Sequence, residues 1–485
     1  MKNIDVKIEN CWAKLEKKTK VPTQNIITHS FLAGYVAKYI IEELINPFLH
    51  PNSLIDLSII PYIALHDYGK IHMSFLSKSK IWIEGIIKNK NLSEEMANKL
   101  RRVWSITQDY SGSYQRTKEE YHHTVIGANL FYEVIPHEKD ICQKTIETCF
   151  DIINLHHGYK RGGYSRINSV DNLGIDLSNS RECFVGLVEK EFGELKNYRK
   201  TETSIEMKAL IQGVTIISDW VASSIDFVEN EIPKKDMIRI IKTKLEKINF
   251  IKTNDFLIRS LSFSDCFSYT MNEFQKKVDS LVLSKKTKGS VFFIEAETGL
   301  GKTEAALWLV YKILQLTLAN GFYFAFPTQI TSNHIYSRIN NFLNIIYSKW
   351  PGQNKTKLIH SMGFLSEENE KFLEEVGNRF YDRNKVSLIY PFGIGTVDQM
   401  LLSVINARHA DLRLYGLANK VIIIDELHSY STFTQVLLKE AINKLRKLGC
   451  IIIILSATLT SGAKKYLLEE EFNDNEYPSI QEVKL

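Results

Sequence analysis

The chain has 485 residues, a formal net charge of +5, 44% hydrophobic and 24% charged residues. That length predicts two or three domains with their own cores, and the composition excludes a disordered or fibrous chain. The six cysteines form no CxxC pair, which argues against a disulfide framework or a zinc knuckle and predicts a reducing, cytoplasmic setting. No run of about 18 uncharged apolar residues occurs, so no membrane span or membrane partner is expected. The N-terminus lacks the apolar stretch of a signal peptide.

Nine of the thirteen histidines fall before residue 160. Around them, apolar residues recur at three- and four-residue spacing over 26–45, 54–66, 123–135 and 145–157, which predicts helices. A polar stretch from Gly162 to Asn179 reads as a loop, and residues 205–227 as a further helix carrying Asp219. The first 228 residues are therefore expected to be all-helical. Residues 229–262 mix charged and apolar residues and suit a linker or connecting helices. From 263 to 485 the pattern changes. Short runs rich in β-branched and aromatic residues appear at 291–296, 321–327, 385–391, 420–426 and 450–458, separated by helical stretches. That is the pattern of buried parallel strands with crossover helices.

In the helical part, His66 and Asp67 stand in ALHDYGK. Adjacent residues on a helix point about 100° apart, so both approach one metal only at a helix end or bend. Gly69 supplies such an irregularity. Aspartate can bridge two cations, and imidazole supplies a neutral nitrogen. Further ligands would come from other helices, with His29, His123, His156, His157 and Asp219 available. His122 is ambiguous beside His123. A mixed imidazole and carboxylate set favours manganese, iron, cobalt or nickel over magnesium.

In the α/β part, the run Ala296 to Thr303 (AETGLGKT) follows an apolar strand and precedes a helical stretch. Backbone amides around Thr298, Gly299 and Gly301 would cradle phosphates, Lys302 would neutralise them and Thr303 would meet magnesium. Asp425-Glu426-Leu427-His428 follows the strand run VIII, which delivers Asp425 to the magnesium and Glu426 to the attacking water. His428 would couple the site to neighbouring motifs. Gln275, 22 residues before Glu297, is positioned to read adenine or is a plain surface glutamine.

Taken in order, His29, HDxGK, HHTVIGA, NLHHG and SDWVAS resemble the HD phosphohydrolase superfamily, and within it the HD nuclease domain of the CRISPR-associated helicase-nucleases of type I systems. The resemblance implies two metals. One would be held by His66, Asp67 and Asp219 with His29 nearby, the other by Asp67, His123, His156 and His157. Lys70 would contact the substrate phosphate. The family phrase usually has its histidine four residues before a small residue, so the resemblance implies His123, four before Gly127, as the ligand in preference to His122. AxTGxGKT is the form common in superfamily 2 helicases, and FPTQITSNHIYSR, GTVDQML and IDELHSYS resemble the CRISPR-associated branch. There Pro327, Thr328, Gln329, Gly395, Thr396, Asp398, Gln399 and the His360-Ser361 turn would grip the phosphate backbone of one strand. Ser456 and Thr458 of the SAT motif would serve coupling.

The resemblance implies a metal-dependent single-stranded DNA nuclease joined to an ATP- and magnesium-dependent motor in antiviral defence, recruited by a crRNA-guided surveillance complex. The chain stops 27 residues after Thr458, so a second RecA-like lobe is expected to be missing and the ATP site half built. The competing expectations are an HD phosphohydrolase acting on nucleotides, with the RecA-like lobe as a regulator, and a truncated non-motor remnant.

Overall fold

A computed structural model describes residues 4–16, 19–50, 53–108, 123–134, 148–149, 151–152, 154, 156, 175–198, 203–224, 234–247, 250–347, 349–350, 356–359, 387–405, 410–470, 472 and 477–485. The chain divides into two compact units. The first comprises residues 1–38, 56–204 and 214–238, and the second residues 39–55, 205–213 and 239–485.

The first unit is built mainly of helices. Helix α1 (Ile26–Tyr39) starts where the Asn25 side chain accepts the Thr28 amide at 2.7 Å. Helix α2 (Ile60–Ala64) is short, with Pro61 in its first turn, and stops at Leu65. A 3-10 turn, Tyr68–Lys70, follows. Helix α3 (His123–Val134) and helix α4 (Ile205–Ser224) complete the frame of the site. Leu32, Ile63, Leu65, Tyr68, Ile126 and Val214 are among its fully buried residues.

The helical expectation holds for the body of this unit, but two small strand pairs add to it. Strands β1 (Trp12–Leu15) and β2 (Pro22–Asn25) form an antiparallel hairpin, and Ile4–Asp5 pairs with Ile175–Asp176. The hairpin register shifts on either side of Lys14, and Pro22 stands at the start of β2. Such an interrupted pattern leaves no clean alternation to read in the sequence.

The second unit holds a seven-stranded sheet. Its strands are β3 (Val291–Glu295), β4 (Phe322–Phe326), β5 (Thr356–Ile359), β6 (Phe392–Thr396), β7 (Val421–Ile424), β8 (Ile451–Ser456) and β9 (Ser479–Val483). The spatial order is β9-β3-β8-β7-β4-β6-β5. Every pair is parallel except β9 against β3. Burial on both faces explains the continuous apolar runs of β3, β4, β7 and β8. Helices α5 (Lys302–Gln315), α6 (Gln329–Ile346), α7 (Ala410–Leu417) and α8 (Thr432–Lys447) connect the strands. Phe292, Ile294, Leu307, Tyr311, Phe324 and Ile453 belong to one buried core.

One strand expectation is corrected. The run 385–391 is not a strand over its described residues: Ser387–Ile389 is a 3-10 turn, and the strand begins at Phe392. Pro391 lacks the amide a central ladder needs, so pairing starts after it. Gly393 and Gly395 lower the apparent strand propensity of the true segment. Strands β5 and β9 were not distinguishable by apolar run length, being short or polar. Among the described residues, no helix is long and apolar enough to cross a membrane.

Candidate metal centre and nucleotide site

The metal-ligating candidates of the first unit converge although they come from three helices, α1, α3 and α4, from the turn after α2 and from His156. Helix α2 ends before His66, so His66 and Asp67 lie in the irregular turn that lets neighbours face one pocket. A Cβ on Gly69 would sit 1.9 Å from the His123 carbonyl oxygen and 2.3 Å from the Gly127 nitrogen. Only glycine allows α3 to press its backbone onto this turn, which brings His123 to Asp67.

His29 Nε2 lies 3.0 Å from Asp67 Oδ2 and 3.2 Å from Asp219 Oδ1. His66 Nε2 lies 3.4 Å from Asp67 Oδ2 and 3.5 Å from Asp219 Oδ1. On the other oxygen, Asp67 Oδ1 lies 3.5 Å from His123 Nε2 and 3.6 Å from His156 Nε2. The pocket therefore contains two groups, His29, His66, Asp67 and Asp219, and Asp67, His123 and His156, with Asp67 common to both. All of these side chains are buried. His122 and His157 lie outside the described residues.

The donor set fits divalent cations. His66 Nδ1 faces the Ile63 carbonyl at 2.9 Å, and His29 Nδ1 faces Gln24 Oε1 at 3.2 Å. Each Nδ1–H is thus used, and each Nε2 presents a lone pair. Those two lone pairs face one another at 3.4 Å, beside two carboxylates. Four electron-pair donors without a proton between them require a positive centre. Donor atoms this far apart are the edges of a coordination shell with metal–donor distances of about 2.1 Å. Without a metal, a proton takes the place. Burial pushes the His66 imidazole down, but the carboxylates of Asp67 and Asp219 outweigh it and raise the group to about 10. Asp67 is held well below the usual carboxylate range despite burial, first by the Lys70 ammonium and then by His66. Lys70 Nζ pairs directly with Asp67 Oδ2. Asp219 is also held low against its burial, by the hydrogen bonds of His29 and His66, and it accepts Ser223 Oγ at 3.3 Å.

In the second unit the phosphate loop lies between β3 and α5. Gly299 and Gly301 adopt φ of +89° and +82°, left-handed values that turn the backbone around a cradle open to solvent. Lys302 starts α5 and its ammonium donates to the Ala296 carbonyl at 2.6 Å. Thr298 is exposed and Thr303 half-buried on this rim. Gln275 is buried under the loop. Its Nε2 donates to the Gly301 carbonyl at 3.4 Å, and its Oε1 accepts the Asn272 amide.

Asp425 follows β7, and its amide donates to the Ala325 carbonyl of β4. Burial, then the adjacent Glu426, raises its carboxyl to about 6. Tyr430 Oη donates to the Asp425 carbonyl at 3.1 Å. His428 links two strand ends: its Nδ1 meets Ser456 Oγ at 3.0 Å and its Nε2 faces Glu426 Oε2 at 3.3 Å. Ser456 Oγ donates to the Thr458 carbonyl at 3.0 Å. Gly395 and Thr396 end β6, and Asp398 and Gln399 lie in the short helix Val397–Leu401 that follows directly. There Tyr323 Oη donates to the Thr396 carbonyl, and buried Arg413 donates to Gln399 Oε1 at 3.2 Å. Asp398 is exposed and Gln399 half-exposed. Pro327 is half-buried and Thr328 exposed after β4; Gln329 opens α6. His360 and Ser361 lie outside the described residues.

Sequence reasoning did not find the residues that orient these groups. Gln24, the Ile63 carbonyl and Arg413 carry no motif, and Ser223 of SDWVAS and Tyr430 of IDELHSYS were given no role. Most of these contacts are made within about a helical turn of the residue they orient, or by a backbone atom that every residue has, so the residue type alone does not announce the role.

Residues 12–228 match the family described as Cas3, HD domain, and residues 272–466 match DEAD/DEAH box helicase. A CRISPR-associated nuclease/helicase Cas3 of Streptococcus thermophilus is 27% identical over 447 residues, covering 84% of this chain and 46% of that protein. The crystal structure of T. fusca Cas3-AMPPNP superposes with a TM-score of 0.73 at 21% identity, covering 99% of this chain and 55% of that one. A structure described as a CRISPR RNA-guided surveillance complex, pre-nicking, contains a chain that superposes with a TM-score of 0.61 at 20% identity, covering 99% and 54%. This chain thus spans about half the length of the curated relative it matches. The fold is an HD domain followed by a helicase lobe.

Proposed function

Because this chain belongs to the Cas3-type HD domain–helicase family, we propose that its first unit is a metal-dependent nuclease that cuts single-stranded DNA, and that its second is the ATP-binding lobe of a DNA motor. The observation that carries the first half is the shared carboxylate: Asp67 turns one oxygen to His29 and His66 and the other to His123 and His156.

His29, His66, Asp67 and Asp219 would hold one divalent metal. Asp67, His123 and His156, with His157, would hold the second. Bound there, manganese, iron, cobalt or nickel would activate water and neutralise the charge that develops on a phosphodiester. The protein's own part is orientation. The Ile63 carbonyl and Gln24 fix the His66 and His29 rings with Nε2 inward. Lys70, half-exposed beside Asp67, would donate to a non-bridging phosphate oxygen.

In the second unit, the Gly299–Gly301 loop and Lys302 would bind the phosphates of ATP, and Asp425 its magnesium. Glu426 would orient the attacking water, and His428 would carry the state of that site to Ser456 and Thr458. Gln275 supports the loop from beneath, and its amide would reach adenine only by leaving Gly301. Pro327, Thr328, Gln329, Gly395, Thr396, Asp398 and Gln399 would grip one DNA strand by its backbone. The match to a chain of a CRISPR RNA-guided surveillance complex supports a crRNA-guided complex as the partner that would deliver the strand, and the setting we infer is type I CRISPR defence.

The test is to strip the purified chain with chelator, then supply manganese, cobalt, nickel or magnesium with single-stranded DNA or a nucleotide panel. Cleavage of DNA restored best by the transition metals is expected. Hydrolysis of nucleotides with DNA left intact would overturn the reading.

A further inference from the structure

A cluster of lysines stands beside the metal-binding pocket. The short helix Met73–Leu76 follows the HDYGK turn and carries Phe75, which is 8% exposed. The Phe75 ring lies 5.5 Å from the His123 ring, edge-on, and 4.4 Å from the Trp12 indole of β1. Two ammonium groups rest on this one ring, Lys78 at 4.8 Å and Lys70 at 5.4 Å from its centre. Lys70 is the residue paired with Asp67. A third lysine approaches from the hairpin turn. Lys20 takes a left-handed φ of +57°, and its carbonyl accepts the Ser79 hydroxyl at 3.1 Å, next to Lys78 in the chain.

The aromatic face offsets part of the repulsion between neighbouring cations. It does not remove it. Burial first, then the charges of Lys70 and Lys20, push the Lys78 amine down to about 8. Lys70 already faces Asp67, and a phosphate beside Lys78 and Lys20 would further reduce the repulsion among the three ammonium groups. Lys78 is partly buried, and an anion would reach it from its open side. Through Lys70 and His123 the cluster adjoins the pocket, so its anion belongs to the same molecule that enters the pocket.

We propose that Lys78, supported on Phe75 with Lys70 and flanked by Lys20, forms a phosphate subsite that holds the backbone of a nucleic-acid strand one step away from the bond to be cut. The proposal rests on the nuclease reading for its substrate class. Contact is to phosphate and not to bases, because the ring that could stack a base is buried and covered by the lysines. Affinity there is independent of sequence and dependent on salt.

The test compares Lys78→Glu, Lys78→Arg and a charge-reversal control on an exposed face, Lys190→Glu, with the parent chain. Three readouts separate the possibilities. Hydrolysis of bis(p-nitrophenyl) phosphate with manganese reports the pocket alone, because this small diester cannot span to the cluster. Cleavage of a short single-stranded oligonucleotide reports kcat and KM. Fluorescence anisotropy of the same oligonucleotide in chelator reports binding across a salt series. We expect Lys78→Glu to raise KM about tenfold or more. The slope of log affinity against log salt should become shallower by about 0.7. Turnover of the small diester should be unchanged, and Lys78→Arg should restore binding. Equal KM and salt slope for Lys78→Glu and Lys190→Glu would overturn the subsite. If the parent chain hydrolyses neither diester nor DNA, the nuclease reading fails. The anisotropy series still decides the subsite, which stands if Lys78→Glu alone weakens binding and falls if it does not.

Discussion

The two candidate sites of this molecule are built in opposite ways. The nucleotide site is built from two short runs: its cradle is the six residues of backbone between β3 and α5 together with the first residues of α5, and its carboxylates follow the end of β7. The metal centre is assembled from His29, His66, Asp67, His123, His156 and Asp219, spread over most of the first unit. The first binds phosphate with amides that any sequence could offer, provided the glycines allow the turn. The second would bind through side-chain lone pairs, of which those of His29, His66 and Asp219 are held in direction by a neighbouring group. A site made of backbone fails when its local conformation fails. A site made of distant side chains fails when any one of them is lost or misdirected.

The largest expected effect comes from the residue that both metal groups share. Asp67→Ala should lower single-strand cleavage by at least about 10³-fold, several kcal/mol of transition-state stabilisation. It should also reduce bound metal by elemental analysis while circular dichroism stays that of the parent. Normal cleavage by this variant would falsify the bridging assignment.

Lys302→Ala sharpens the contrast next. Nucleotide affinity should fall by about 10- to 100-fold, the loss of a charge-assisted contact to phosphate. Metal-dependent cleavage of short single strands should be unaltered, since every ligand of the metal pocket belongs to the first unit. Loss of both activities together would break the separation of the sites.

Orientation at a distance predicts a smaller change. Gln24→Leu removes the acceptor that fixes His29. Metal affinity, measured by competition with a chelating dye, should weaken by about tenfold. An unchanged affinity would mean that the ring is held without Gln24.

The mildest test is pH. The raised carboxyl of Asp425, at about 6, must lose its proton to meet magnesium. Protons therefore compete below that pH: magnesium-dependent nucleotide affinity should drop by about tenfold per unit below pH 6 and level off above it. Asp425→Asn should flatten this profile as well as weaken binding.

The same contrast governs what could be read from the sequence. AETGLGKT and DELH were legible because the fold writes them into consecutive residues. The core strands beside them were legible because burial on both faces makes them uniformly apolar. The metal ligands were legible only as an ordered set, with HDYGK as the anchor. Strand β6 was displaced by a few residues in the reading, since its glycines hide it and the apolar run before Pro391 imitates it. The hairpin of β1 and β2 was invisible for want of alternation. Of the residues that aim the ligands, Gln24 carried no signal, and Ser223 stood inside SDWVAS without being given a role. Ser223 meets Asp219 one turn along α4, whereas Gln24 meets His29 across the junction of β2 and α1, where no helical or strand repeat connects the two residues.

The contact at Gly69 bears on how damage to this protein is to be diagnosed. A methyl group there would overlap the backbone of α3 at His123 and Gly127. Replacement of a residue that touches no metal and no substrate would thus pull one half of the ligand set away from the other. In a screen for loss of cleavage, Gly69 would score with the ligands themselves. Metal stoichiometry would tell them apart. Loss of His66 removes one donor from one group, whereas a side chain at Gly69 draws His123 away from Asp67 and leaves His29, His66 and Asp219 together. A half-loaded protein with every ligand intact is the signature of a broken hinge between ion sites.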